Sequence, residues 1–160
     1  TLLFCVVFAY KKSIVLKKQS TVSLLLIGML FLSACTHKPK PIQIGKDNCS
    51  FCKMTITDTK FAAEILNENG KAFLFDDIQC AQTYFATVDE VAAKKHQVFF
   101  VNFLNNQEFL PASQAILLQS ADLRTPMAGG IIACANKTDF EKLSKDYPGK
   151  EISWQILHTK

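Results

Sequence analysis

Residues 61–88 read FAAEILNENGKAFLFDDIQCAQTYFATV, and the way this stretch divides decides the fold. Residues 61–66 and 71–76 are short apolar-rich runs joined by Asn67-Glu68-Asn69-Gly70, a turn sequence ending in Asn-Gly that suits a hairpin. Asp76-Asp77 then offers an N-cap, and Ile78, Ala81, Phe85 and Val88 fall near helical spacing on one face, so a helix is predicted to follow. The apolar run QVFFVNFL at 97–104 reads as a strand. The unit is strand, strand, helix, strand.

Moving toward the C-terminus, the same order is expected again. QAILLQS (114–120) and GGIIACA (129–135) are strand candidates separated by the loop ADLRTPMA. Thr138 with Glu141 three residues on has the form of a capping box and predicts a helix to about Asp146. Pro148-Gly149 stops it, and EISWQIL is the closing strand. The expected fold class is α+β, two successive ββαβ units with helices packed on antiparallel sheet.

Moving toward the N-terminus, the character of the chain changes. Lys11, Lys12, Lys17 and Lys18 precede the apolar run VSLLLIGMLFL, which ends in small residues at Leu32-Ser33-Ala34-Cys35. A basic region, an apolar core and a small-residue end make a secretory signal, and this core is shorter than the ~20 residues a spanning helix needs. The stretch TLLFCVVFAY adds nothing to a signal, so either a misassigned start or a translated fragment is expected. All 14 acidic residues, and 14 of the 18 basic ones, follow Cys35. The mature chain would therefore be neutral, with no basic footprint for nucleic acid. The polar, proline-containing residues 35–46 read as a tether, and 47–160 as one domain.

Beyond Cys5 and Cys35, four cysteines remain: Cys49, Cys52, Cys80 and Cys134. An even count outside the cytoplasm ordinarily means disulfides. Yet Met54 lies two residues after Cys52. If residues 52–56 run extended, the two side chains share a face. Thiolate with thioether is the donor chemistry of a soft ion such as Cu(I). The other methionine after Cys35 is Met127, in a loop stiffened by Pro126 and opened to close approach by Gly129 and Gly130. Alone, each methionine reads as core filler; together, beside a CxxC pair, they become candidate ligands.

These residues carry a resemblance. CSFCKMTI, FAAEI, FLFDDIQCAQTYF and TPMAGGIIA, in that order, resemble the NosL family of copper-binding accessory lipoproteins of nitrous oxide reductase. The resemblance implies a fold of two ββαβ units related to organomercurial-lyase-like proteins. It implies a lipobox with Cys35 as the lipidated residue, and so a bilayer anchor on a periplasm-facing, extracytoplasmic protein. Thr36 after that cysteine sets the outer membrane as the expectation. It further implies a Cu(I) metallochaperone, not an enzyme, that works between a membrane ABC-type copper-maturation complex and an apo copper enzyme, nitrous oxide reductase. By position, the family's Cys-Gly-Met falls on Cys52-Lys53-Met54 and its Thr-Pro-Met-Gly-Gly loop on 125–130, making Cys52, Met54 and Met127 the metal ligands. Lys53 replaces the usual glycine, adding bulk and charge beside the site, and Ala128 stands where glycine is common.

Cys49 is left as a fourth ligand, a disulfide partner of Cys52, or a spectator. Asp76, Asp77 and Cys80 belong to a family-like block, but capping explains the acids and packing explains Cys80; Cys134 reads as packing. His37, His96 and His158 are expected to be exposed and not to ligate. No Ser-His-Asp set, phosphate loop or HExxH occurs. Two rivals stand: a thiol–disulfide oxidoreductase using Cys49–Cys52, and a structural lipoprotein held by disulfides or zinc. Reactive CxxC pairs normally open a helix, whereas KMTIT is β-branched and reads as a strand. A four-cysteine zinc site usually has a second CxxC, and none is present.

Overall fold

A computed structural model describes residues 38–154. The signal, Cys35, His37 and His158 lie outside the described residues. The compact unit is His37–Lys160; among the described residues, both hydrophobic clusters are built from positions 49–154, so the domain carries its own core.

Strands β1 (Ala63–Leu66) and β2 (Ala72–Phe75) pair antiparallel with Ala63 opposite Phe75. The Asn67 side chain holds the turn, accepting from the N–H groups of Asn69 and Lys71, and Gly70 supplies its positive φ of 73°. Helix α1 (Ile78–Phe85) follows, then a four-residue helix α2 (Glu90–Ala93) capped by Asp89. Strand β3 (Gln97–Asn102) lies antiparallel to β1, and β4 (Asn105–Pro111) to β3. Strands β5 (Ile116–Gln119) and β6 (Ile131–Cys134), helix α3 (Lys137–Asp146) and strand β7 (Lys150–Ile152) complete the chain. One sheet results, ordered β2-β1-β3-β6-β5-β7, with β4 on β3. Its halves join where Asn102 of β3 pairs in parallel with Ala133 of β6.

Strand β4 and helix α2 interrupt the expected order. β4 opens Asn-Asn-Gln-Glu, four exposed residues, and ends in Pro111. An edge strand that solvent covers needs little apolar surface, so it resembles a loop in sequence. Helix α1 ends at Phe85, short of Val88. The cap of α3 is Asn136 rather than Thr138: its side-chain oxygen accepts from the Asp139 N–H at 2.9 Å, and its amide donates to the Asp139 carboxylate. That box lies two residues before the expected one.

Alternation distributes the core between two faces. Leu117, Ile131 and Ala133 join Ala63, Ile65 and Phe100 against Ile78, Cys80 and Ala81 of α1. Leu118, Ile132 and Cys134 face the other way, toward Leu143 of α3. Strands covered on both sides read as continuous apolar runs, as β5 and β6 do. Trp154 closes the first cluster edge-on against Phe85 and Phe100.

The expected strand over 52–56 is replaced by a reversal. Its sole ladder contact is a bridge between Asn48 and Thr55, because Lys53 takes φ 67°, a left-handed conformation that turns the chain back. Ala128 does the same at φ 56°. Both are the positions where glycine was expected. Gly130 has no such latitude: at φ 62°, an added Cβ would lie 2.3 Å from the Ser120 carbonyl oxygen.

Glu64 points away from α1 and is fully buried. Its oxygens accept from the Lys40 main-chain N–H at 3.2 and 3.0 Å, so packing already begins within the segment read as tether. Burial lifts its carboxyl to about 7, against the Lys40 interaction.

Two outcomes are expected. Lys53→Gly and Ala128→Gly should each stabilise the domain by about 0.5–1 kcal/mol in chemical denaturation, since the left-handed penalty of ~1–2 kcal/mol exceeds the extra chain entropy of glycine. For Glu64, the unfolded chain releases the proton near pH 4.5 while the folded one keeps it until about pH 7, so this residue's contribution to stability falls as pH rises through that window. Glu64→Gln should remove the slope, its stability relative to the parent rising by on the order of 2–3 kcal/mol between pH 4.5 and 8. Parallel pH profiles for both proteins would show Glu64 is not the titrating group.

Candidate metal centre

The reversal at 49–53 is built by its own backbone. The Cys49 N–H donates to the Met54 carbonyl at 2.8 Å, and the Lys53 N–H donates to the Cys49 carbonyl at 3.1 Å. The Ser50 N–H reaches the Leu74 carbonyl of β2 at 2.7 Å, fastening the loop to the sheet. Beyond β2 the chain turns into α1 through Asp76 and Asp77. Three segments therefore meet at one place: the CxxC loop, the end of β2 and the first turn of α1.

At that meeting point Cys49, Cys52, Asp76 and Cys80 offer donor atoms all within 4.8 Å of one another. Two sulfurs bound to one ion at ~2.3 Å are at most about 4.6 Å apart, so small rotations would bring this set onto a shared ion. The Cys52 thiol donates to the Asp76 carboxylate, at 3.5 Å to Oδ1 and 3.6 Å to Oδ2. Cys49, Cys80 and Asp76 are buried, whereas Cys52 is half-buried and forms the opening. All four described cysteines are free thiols. Burial pushes the Cys49 thiol up and, aided by Asp76, pushes the Cys80 thiol strongly up. Both are held neutral, so a metal must displace their protons.

Asp77, and not Asp76, caps the helix. Its Oδ1 accepts from the Gln79 N–H at 2.8 Å, and its Oδ2 accepts from the Met127 N–H, also at 2.8 Å. The loop carrying Met127 is thus pinned to the residue beside Asp76. Gly129 lets it lie close, since a Cβ there would come within 2.8 Å of Gln79 Cβ. Met54 and Met127 are 48% and 37% exposed, which excludes the core-filler reading for both. Lys53 does not direct its charge at the thiols: its ammonium donates to the Ser50 carbonyl at 2.6 Å.

The structure thus joins Cys52 with Cys49, and adds Cys80 and Asp76, which sequence reasoning had assigned to packing and capping. A signal was available: one residue suffices to cap a helix, leaving the second aspartate without a task. Cys134 stays a packing residue, its thiol donating to the Ile116 carbonyl at 3.3 Å and pushed up to about 11 mainly by burial. His96 is half-buried and bonds the Ala92 carbonyl of α2, which occupies it structurally. The CxxC pair opens no helix.

The NosL family model matches residues 41–159. Against curated protein sequences the chain has no significant match. Among solved structures it is similar to the copper chaperone NosL from Shewanella denitrificans, with a TM-score of 0.63 and 18% identity, over 75% of this chain and 95% of that one. At that identity the likeness speaks for the fold, a mixed α and β sheet domain. The match to the family model covers most of the chain, and the chain belongs to the NosL family.

Proposed function

We propose that this chain is an extracytoplasmic, lipid-anchored metallochaperone that carries Cu(I) and is not an enzyme. The observation that carries the reading is the cluster of Cys49, Cys52, Asp76 and Cys80 in a domain of the NosL family, with the Met127 main chain bonded to the adjacent Asp77. Cys52 and the exposed thioethers of Met54 and Met127 hold the ion, with Cys49 as a further sulfur within 4.8 Å of Cys52. Thioether donors favour Cu(I) over zinc. Exposed ligands suit a cargo that must leave: a partner can add its own donor before the carrier releases. The partners follow from the family, an apo copper enzyme, nitrous oxide reductase, and a membrane ABC-type complex. Cys35 carries the lipid and residues 1–34 are the signal. The lipid anchor follows from the lipobox-like Leu32-Ser33-Ala34-Cys35, and Thr36 favours the outer membrane; no helix among the described residues is long and apolar enough to cross a membrane. The halves β1-β2-α1-β3 and β5-β6-α3-β7, each with its first strand in the middle, support descent from a duplicated ββαβ unit.

A second reading has an observation of its own. Three thiols and a carboxylate form a set that zinc accepts tetrahedrally, which would make the site structural.

Competition separates the two. Reduced His37–Lys160 should bind one Cu(I) and prefer it to Zn(II) when titrated against a Cu(I) chelator; zinc binding as tightly would favour the structural site. Cys52→Ser should weaken Cu(I) binding more than either methionine substitution. Met54→Ala and Met127→Ala should each weaken it while leaving the melting temperature nearly unchanged. Core methionines would instead cost ~2–5 kcal/mol of stability on truncation. The anchor is checked apart: Cys35→Ser in the full chain should move the protein from the membrane to the soluble extracytoplasmic fraction. Retention on the membrane would refute lipidation at that residue.

A further inference from the structure

The half-buried Cys52 has Cys49 and Cys80, each about 1% exposed, within 4.8 Å of its sulfur, while the Met54 and Met127 of the proposed outer position are exposed. We propose that Cys80 is a metal ligand, completing with Cys49 and Cys52 an inner thiolate position that one Cu(I) occupies alternately with the outer Cys52–Met54–Met127 position. This rests on the Cu(I) reading above and adds to it a ligand and a second station for the cargo.

Geometry and chemistry both support the inner position. Three sulfurs around one ion at ~2.3 Å stand about 4 Å apart, and those of Cys49, Cys52 and Cys80 lie within 4.8 Å of one another. Each cysteine is set by a different constraint. The loop's hydrogen bonds fix Cys49, the bond to Asp76 orients Cys52, and the first turn of α1 presents Cys80. No disulfide occupies these sulfurs. Each sulfur that joins the ion gives its proton to water, so ion entry and proton exit are coupled without any redox change. Cys52 belongs to both positions, so the ion can pass from the shielded thiolates to the exposed thioethers without leaving its first ligand.

The test uses reduced His37–Lys160 carrying Met54→Ala and Met127→Ala, which removes the outer thioethers. One Cu(I) should still bind, and adding Cys80→Ser or Cys80→Ala should weaken it by more than about 100-fold, beyond the ~10–100-fold that loss of a supporting contact produces. Copper X-ray absorption should show one fewer sulfur neighbour in the Cys80 variants. Circular dichroism and thermal melting establish that each variant folds. A residue that only packs would lower the melting temperature and leave the sulfur count unchanged, which would overturn the proposal. Loss of all binding in the double methionine variant would also overturn it while leaving the outer site intact. Should the unsubstituted domain bind no Cu(I), the chaperone reading fails together with the inner position.

Discussion

Asp77 uses its two oxygens on two parts of the molecule, the helix α1 N–H at Gln79 and the main chain of Met127. It is fully buried, where an unpartnered carboxylate would be costly, and hydrogen bonds to two main-chain donors offset that cost. Everything near the thiols depends on this arrangement. The cap sets the start of α1, and so the position of Cys80 in its first turn. The second bond fixes a loop fifty residues away beside the same helix end. Its neighbour Asp76 is thereby left free of capping and turned to the Cys52 thiol. Two adjacent aspartates with identical side chains have separate tasks because successive side chains leaving a strand point apart.

The sulfurs of Cys49, Cys80, Met54 and Met127 differ sharply in exposure. Inside, burial keeps Cys49 and Cys80 neutral, which protects them from ionising without a metal. Outside, the methionines stand in solvent, and their thioethers need no deprotonation at any pH. A soft monovalent ion can bind either kind of sulfur, so the difference chiefly alters how many protons leave and how shielded the ion becomes. Backbone strain at Lys53 and Ala128 accompanies both methionine loops. A reversal is required at each, and here residues bearing a Cβ make it.

Much of the fold was legible in the sequence because its signals are local. The Asn-Gly turn, the apolar runs of β1, β2, β3, β5 and β6, and the cap before Ile78 each need only near neighbours to be read. Polar β4 was not legible, since its strand character comes from pairing with β3 rather than from its own residues. The extended run over 52–56 failed for the opposite reason. Its β-branched residues favour a strand, but the closing bonds between Cys49, Lys53 and Met54 outweigh that preference.

The donor types were likewise set out in sequence: a CxxC, two methionines and a family-like block pointed to a soft ion. What the sequence by itself determined was that chemistry, because donor softness belongs to the residue type wherever it sits. The tertiary structure decided which donors meet. Cys80 and Asp76 lie more than twenty residues from the CxxC, and only the pairing of β2 with β1, the Ser50 bond to Leu74 and the turn into α1 bring them to the thiols. Proximity across such a separation is a property of packing, which a linear pattern of residues does not contain.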